Sequence, residues 1–276
     1  MKTLNLFSAH FAALLLCSLL SFVSSTFAAT NPLNSPQGLA LDAKGNLYVA
    51  NNTTSQVLVF TPGYALVTSK TVTANVANPV SVAIDSVGNL YVANAGSNTV
   101  TEYNPGGTQI HTVYSSEVPY TVAVDGIGDV WVEVDYATVN LYPQYASTPL
   151  LSLSNPTDAY TGIAMYQGFA VLGTNTGSQI WEIPTTLFGQ RAYGNLPETG
   201  FVMAFDTAGN LYSGNIDGTL SVTAGIYGGT TTLANLGFFP FGIAVDSSRN
   251  RIYVADANHN KIDVYNFSGA LLHIIK

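Results

Sequence analysis

The sequence predicts an all-β fold, and three observations carry that prediction. One phrase recurs: GLALDAKGNLYVAN (38–51), SVAIDSVGNLYVAN (81–94) and GIAVDSSRNRIYVAD (242–256). Its period is nearly constant. Anchored on Asp42, it returns at Asp85, Asp125, Asp206 and Asp246, in steps near 40. Tyr166 holds the place in a degenerate copy, TGIAMYQGFAVLGTN (161–175), one residue short; the steps are then 43, 40, 41, 40 and 40. Such a period marks a repeat architecture. Within each period the apolar runs are short, rich in β-branched and aromatic residues, and separated by Gly, Asn and Pro, with no sustained helical periodicity. Four short antiparallel strands per ~40-residue repeat make one propeller blade, so six copies predict a six-bladed β-propeller of four-stranded antiparallel blades.

Before the first repeat, residues 1–28 read as a secretory signal peptide. Lys2 precedes an apolar stretch, FAALLLCSLLSFV (11–23), too short to span a membrane. Thr26-Phe27-Ala28 then places small residues at −3 and −1 of a cleavage after Ala28. Cys17 lies inside the apolar stretch behind Leu15 and Leu16, which are not the small residues a lipidation site wants. The mature chain, 29–276, holds no cysteine, which excludes disulfides, thiolate metal sites and a cysteine nucleophile. It carries 7 Lys and Arg against 16 Asp and Glu, a formal charge of −9. That acidity argues against nucleic acid and anionic membrane as partners. The expected destination is the periplasm, cell envelope or medium, with no membrane insertion, and the expected state is a monomer.

The repeats fall near 36–77, 78–117, 118–155, 156–196, 197–238 and 239–276. The first strand of each centres on an alanine: Ala40, Ala83, Ala123, Ala164, Ala204 and Ala244. Blades converge on the axis, so a small side chain is expected there, with Leu39, Leu41 and their equivalents filling the space between blades. The second strands are LYVA (47–50), LYVA (90–93), VWVE (130–133), AVLG (170–173), LYSG (211–214) and IYVA (252–255). Trp131 and Glu133 read as ordinary alternation along one of them. Third strands follow at 57–60, 100–103, 139–142, 180–183, 220–223 and 262–265, and weaker fourth strands at 65–68, 110–113, 150–153 and 271–275. Asp42 to Asn46 is expected to form a tight hairpin, with the aspartate bonding backbone N–H groups and Gly45 at positive φ. Asn51, Asn94, Asn175, Asn215 and Asp256 are expected to satisfy the loop after the second strand.

The stretch PFGIAVDSSRNRIYVADANHNKIDVYNFSG (240–269) resembles an NHL repeat, whose form is P-x-G-I-A-V-D, G-N-I-Y-V-A-D, N-x-x-I-x-V-F. Residues 36–63 and 79–106 match well, the third and fifth copies moderately, and the fourth weakly. The resemblance covers essentially the whole mature chain and implies a six-bladed propeller. For function it implies a choice among protein- or RNA-binding modules, sensor domains of bacterial membrane kinases and a peptide-amidating lyase, with calcium-dependent lactonases as related propellers.

A lyase-type zinc site would need three converging histidines. His111 and His273 fall at equivalent places on outer strands and His259 in a loop, so no shared zinc site is expected. A serine triad lacks its histidine for the same reason. GIYGGTT (225–231) opens no helix, which argues against a phosphate cradle. A calcium site would need acidic and amide ligands at the pore; the acids fall mostly in hairpins and loops. No cofactor is therefore expected, with calcium left open and unsupported.

The loops on one face are more informative. Five residues before each anchor stand Gln37, Val80, Tyr120, Thr161, Phe201 and Phe241. Tyr160, Phe238 and Phe239 adjoin them in sequence, and Tyr136 lies in a neighbouring loop, while Glu117, Asp135, Asp158, Glu198 and Asp217 form an acidic rim. The candidate ligand-binding residues are Gln37, Tyr120, Tyr136, Tyr160, Phe201 and Phe241. The mouth suits a protein, a peptide, a carbohydrate or a cationic ligand, or its aromatics simply plug the channel. A non-enzymatic binding module is expected. The competing readings are a metal-assisted lyase or lactonase and a cell-envelope structural protein.

Overall fold

A computed structural model describes residues 30–114, 117–154, 159–174, 179–184, 191–195, 200–225 and 228–276. The chain divides into Met1–Pro32 and a compact unit, Leu33–Lys276, that holds the strands. The expected signal segment, 1–28, lies outside the described residues.

Six antiparallel sheets follow one another along the chain. The first is β1 (Pro36–Leu41), β2 (Leu47–Asn51) and β3 (Gln56–Phe60). The second is β4 (Pro79–Ile84), β5 (Leu90–Asn94), β6 (Thr99–Tyr103) and β7 (Gln109–Tyr114). The third is β8 (Pro119–Val124), β9 (Val130–Val134), β10 (Thr138–Tyr142) and β11 (Leu151–Ser154). The fourth is β12 (Tyr160–Tyr166), β13 (Phe169–Thr174), β14 (Gln179–Pro184) and β15 (Arg191–Asn195). The fifth is β16 (Gly200–Phe205), β17 (Leu211–Asn215), β18 (Thr219–Thr223) and β19 (Thr230–Asn235). The sixth is β20 (Gly242–Asp246), β21 (Arg251–Asp256), β22 (Lys261–Tyr265) and β23 (Leu271–Ile275).

The expectation of six four-stranded blades needs correction. Five sheets have four strands and the first has three. Where a strand was expected at 65–68, two isolated bridges, Phe60 to Leu66 and Val57 to Val72, flank a 3-10 turn at Thr68–Lys70. The first step of the repeat is three residues longer than the usual 40, and a turn of three residues interrupts the ladder there. Conversely, β15 and β19 are fourth strands that the apolar pattern did not reveal.

The anchor aspartates build hairpins, as their position before a glycine turn implies. Asp42 Oδ1 accepts from the N–H groups of Lys44 (2.9 Å) and Asn46 (2.8 Å), and Asp85 from Val87 (3.0 Å) and Asn89 (2.8 Å). Asp125 and Asp206 repeat the pattern. Gly45 sits at φ 81. The degenerate copy instead turns on Gln167 (φ 46) and Gly168 (φ 82), a two-residue hairpin that needs no aspartate and accounts for the missing residue. At the other end of the second strands the reading is corrected in part. Asp256 Oδ1 accepts from His259 N–H in the following loop (3.1 Å), but Asn51 and Asn94 accept from Asn34 (2.7 Å) and Ala77 (3.0 Å), in the segments entering the first strands. Asn175 lies outside the described residues.

The first strands form a closed ring: β1 neighbours β4, β4 neighbours β8, and so on through β12, β16 and β20 back to β1. Six apolar clusters fill the seams, each shared by two adjacent sheets. The closing seam packs Leu39, Val49 and Leu58 of the first sheet against Tyr253, Ile262 and Val264 of the last. The repeated alanine packs into the seam with the following blade, as Ala83 and Ala244 show, while Leu39 serves the preceding seam. Among the described residues no strand is exchanged between the chain ends; contact between β20 and β1 closes the ring.

Glycine makes that contact possible. A Cβ on Gly242 would overlap the carbonyl oxygen of Gln37, and one on Gly38 would stand 2.5 Å from Ser81 Cα. Gly242→Val should therefore open the closing seam and lower stability by about 3 kcal/mol in urea unfolding. Gly126→Ala, at a site with open space around it, should change stability by less than ~0.5 kcal/mol.

Candidate functional site

The site begins with an irregularity shared by the first strands. In five sheets the register slips at the strand entry: between Pro36 and Leu39, Pro79 and Ser81, Pro119 and Thr121, Tyr160 and Gly162, and Gly200 and Val202. A bulge leaves a residue out of the ladder and re-aims its side chain. The residues left out include Gln37, Val80, Tyr120, Thr161 and Phe201. In the last sheet Phe241 stands just before β20 and donates its N–H to Ala255 O at 3.0 Å. These six positions, each five residues before its anchor, all line one cavity of ≈ 360 Å³ around the axis.

Aromatic contacts organise the mouth. Tyr120 stacks on Tyr136 with ring centroids 3.7 Å apart and planes at 26°. Opposite them, Phe239 meets Phe201 edge-on at 4.5 Å and Phe241 at 5.2 Å. Tyr136 stays 47% exposed, and it is held on left-handed backbone (φ 56) beside Asp135 (φ 51). Burial, a hydrogen bond with the Tyr120 hydroxyl and the neighbouring Glu133 push the Tyr136 phenol up to about 12.

Tyr160 is the candidate that the structure places elsewhere. Its side chain is buried in the apolar seam between the third and fourth sheets. It serves the site only through its backbone, donating its N–H to Tyr136 O at 2.7 Å. Phe238 is likewise buried between sheets, with Lys261 Nζ 4.9 Å from its ring centre. Of the rim acids, Glu117, Asp135 and Asp217 are exposed, and Asp158 and Glu198 lie outside the described residues. Desolvation and the adjacent Asp135 raise the Glu117 carboxyl.

Sequence reasoning missed Glu133. Alternation puts it on the Trp131 face of β9, but the strand pairing shows what is unusual about it. Glu133 pairs with Thr121 on β8 and lines the axial cavity, 1% exposed. At the same position the other second strands carry Ala50, Ala93, Gly173, Gly214 and Ala255. Five small residues and one glutamate is a signal that aligning the copies against each other reveals. Burial pushes the Glu133 carboxyl up to about 7, against the lowering effect of a hydrogen bond with Thr121. Its Oε2 has no hydrogen-bond partner among the described residues.

Among the described residues no three His, Cys, Asp or Glu side chains gather as metal ligands. His111 lies on β7, edge-on to Tyr145, and His273 on β23, stacked 4.2 Å from Tyr64. His259 Nδ1 bonds Asp256 at 2.8 Å. None of the three lines the axial cavity.

The Glu133 environment has a stability consequence. A carboxyl whose pKa rises from 4.5 to about 7 on folding favours the native state below pH 4.5 and loses that contribution as pH rises through 7. The loss is on the order of 3 kcal/mol. Glu133→Gln should therefore raise the melting temperature above that of the parent at pH 8, with the difference shrinking towards pH 4.5. Melting curves of both proteins across that range check it.

Among known proteins, a family model described as NHL repeat matches residues 33–60. No curated protein sequence matches the chain. Solved structures match over most of its length. A streptogramin B lyase aligns with a TM-score of 0.66 at 14% identity, covering 90% of this chain and 84% of that one. A gluconolactonase from Xanthomonas campestris aligns at 0.64 with 16% identity, covering 82% and 84%. A catalytically inactive virginiamycin B lyase from Staphylococcus aureus, with quinupristin, aligns at 0.65 with 12% identity, covering 88% and 85%. At such identities the likeness is one of fold. The chain thus carries an NHL repeat in its first copy, set in a closed ring of antiparallel sheets, a β-propeller fold.

Proposed function

We propose that this protein is an exported, non-enzymatic binding module that receives its ligand in the axial cavity. One observation carries the reading: six strand-entry residues, re-aimed by bulges or by position, surround a single ≈ 360 Å³ space with aromatic walls. That volume is within the range of small-ligand pockets, ~300–1,000 Å³. A peptide side chain, a sugar unit or a small molecule suits it. Export rests on the apolar segment at 11–23 and the small residues before the cleavage after Ala28. The acidic balance favours partners other than nucleic acid.

The second reading is an enzyme, a lyase or lactonase assisted by a metal. It draws support from the structural neighbours, which include a streptogramin B lyase and a gluconolactonase.

Two measurements separate the readings. Thermal-shift screening with aromatic dipeptides and small sugars should yield a binder, and Phe241→Ala or Tyr120→Ala should weaken it at least about tenfold, a loss of ~1.4 kcal/mol, while both variants stay folded. Unchanged affinity in both variants would sink the binding-module reading. Calcium or zinc added back to chelated protein should leave the melting temperature where it was. A native-state ligand at a hundredfold excess over its Kd adds ~2.7 kcal/mol, so a clear metal-dependent rise would favour the enzyme.

A further inference from the structure

We propose that the axial cavity selects a ligand bearing a primary ammonium group on an aromatic or apolar body, with the Glu133 carboxylate as the counter-charge. The inference rests on the reading that the cavity is a ligand site, and it names the class of ligand.

Four observations lead to it. First, Glu133 is buried at the cavity wall with Oε2 unpartnered among the described residues. A buried carboxyl without a counter-charge is costly, and native proteins leave few such groups unexplained. Second, among the described residues no Lys, Arg or His lines the cavity. Third, the geometry distinguishes among cations. Thr121 already bonds the carboxyl, leaving one oxygen as a free acceptor. A guanidinium would call for two oxygens side by side; an ammonium is a compact donor that one oxygen can take. Fourth, the stacked rings of Tyr120 and Tyr136 stand at the same cavity, and Tyr136 is close enough to sense the Glu133 charge. Aromatic faces attract a cation and accept an apolar body. Exposed Glu117 and Asp135 near this mouth add a field that draws cations in and turns anions away.

The arrangement is local to one blade. Only the third copy places an acid at this position, where the other five place Ala or Gly. Among the described residues that line the cavity, Glu133 is the one Asp, Glu, Lys, Arg or His. β8 contributes Tyr120 and Thr121, the loop after β9 contributes Tyr136, and β10 pairs it with Val139. From the adjacent sheet β12 offers Thr161, whose hydroxyl is already given to Gly200 O at 2.7 Å, and Gly162. Among the described residues the titratable groups at the cavity wall beside Glu133 are the Tyr120 and Tyr136 phenols, with Glu117 and Asp135 exposed at the mouth, so Glu133→Gln isolates the part of the pH response between 6 and 8 that belongs to Glu133.

Calorimetry with phenethylammonium, which stays protonated from pH 6 to 8, and with neutral 2-phenylethanol tests this on the intact protein. Phenethylammonium should bind at least about tenfold more tightly than 2-phenylethanol at pH 8. Its affinity should fall about tenfold at pH 6, as a carboxyl with a pKa of about 7 gains its proton, while that of 2-phenylethanol should not move. Glu133→Gln should abolish both the preference and the pH response. Equal binding of the two probes, or a preference that survives in Glu133→Gln, overturns the ammonium inference and leaves the cavity reading standing. Failure of both probes to bind the parent protein also overturns it; the cavity reading then stands or falls on the Phe241 and Tyr120 variants with the peptide and sugar panel. The comparison of probes on the parent protein decides the matter even if Glu133→Gln fails to fold.

Discussion

Everything in this molecule depends on the inner strands passing close enough to close a ring. Each sheet is a simple meander, and a lone four-stranded meander leaves both faces wet. The faces are buried only because each sheet packs on two neighbours, in six apolar seams that run full circle. The circle has one seam between the first copy and the last, held by side-chain packing and by Gly242 lying against Gln37. Without that seam β1 and β20 would each lose a buried neighbour. Among the described residues no shared strand secures it, and small residues and tight apolar contact carry the closure.

The same constraint creates the site. Inner strands that crowd towards an axis must end, and at one end they do so through bulges at their entries. At five of the six entries a bulge frees residues from the ladder, which lets Tyr120, Thr161 and Phe201 surround a common space together with Gln37, Val80 and Phe241. At the opposite ends of these strands sit the aspartate hairpins, in which one carboxylate oxygen of Asp42, Asp85, Asp125 and Asp206 accepts from its own turn. One end of the ring is thus committed to holding hairpins together and the other is available for chemistry.

Glu133 shows how a repeat protein departs from its own pattern. Close packing asks for Ala or Gly at that position, and five copies comply. The third copy places a carboxyl there, buries it beside the axis and leaves one oxygen without a partner among the described residues. Its burial opposes stability above pH 7, and Asp135 and Tyr136 adopt left-handed backbone next to it. A departure from the packing rule in one copy alone is expected where function outweighs packing.

The sequence by itself determined the repeat, its period, the hairpin role of Asp42 and its equivalents, and the face on which Gln37, Tyr120, Phe201 and Phe241 meet. These were legible because turn chemistry and alternation act over a few residues and recur in every copy. It did not determine the first sheet's missing strand, since three added residues fix a length and not whether they extend a ladder or loop out of it. Nor did it place Tyr160, one position from Thr161: at a bulge, a single step decides between cavity and core, and the register is a property of the paired strand. The meaning of Glu133 was decided only by the tertiary structure. An acid alternating along a strand reads as solvent-facing until a neighbouring sheet covers it, and that covering sheet comes from the next repeat, not from its own.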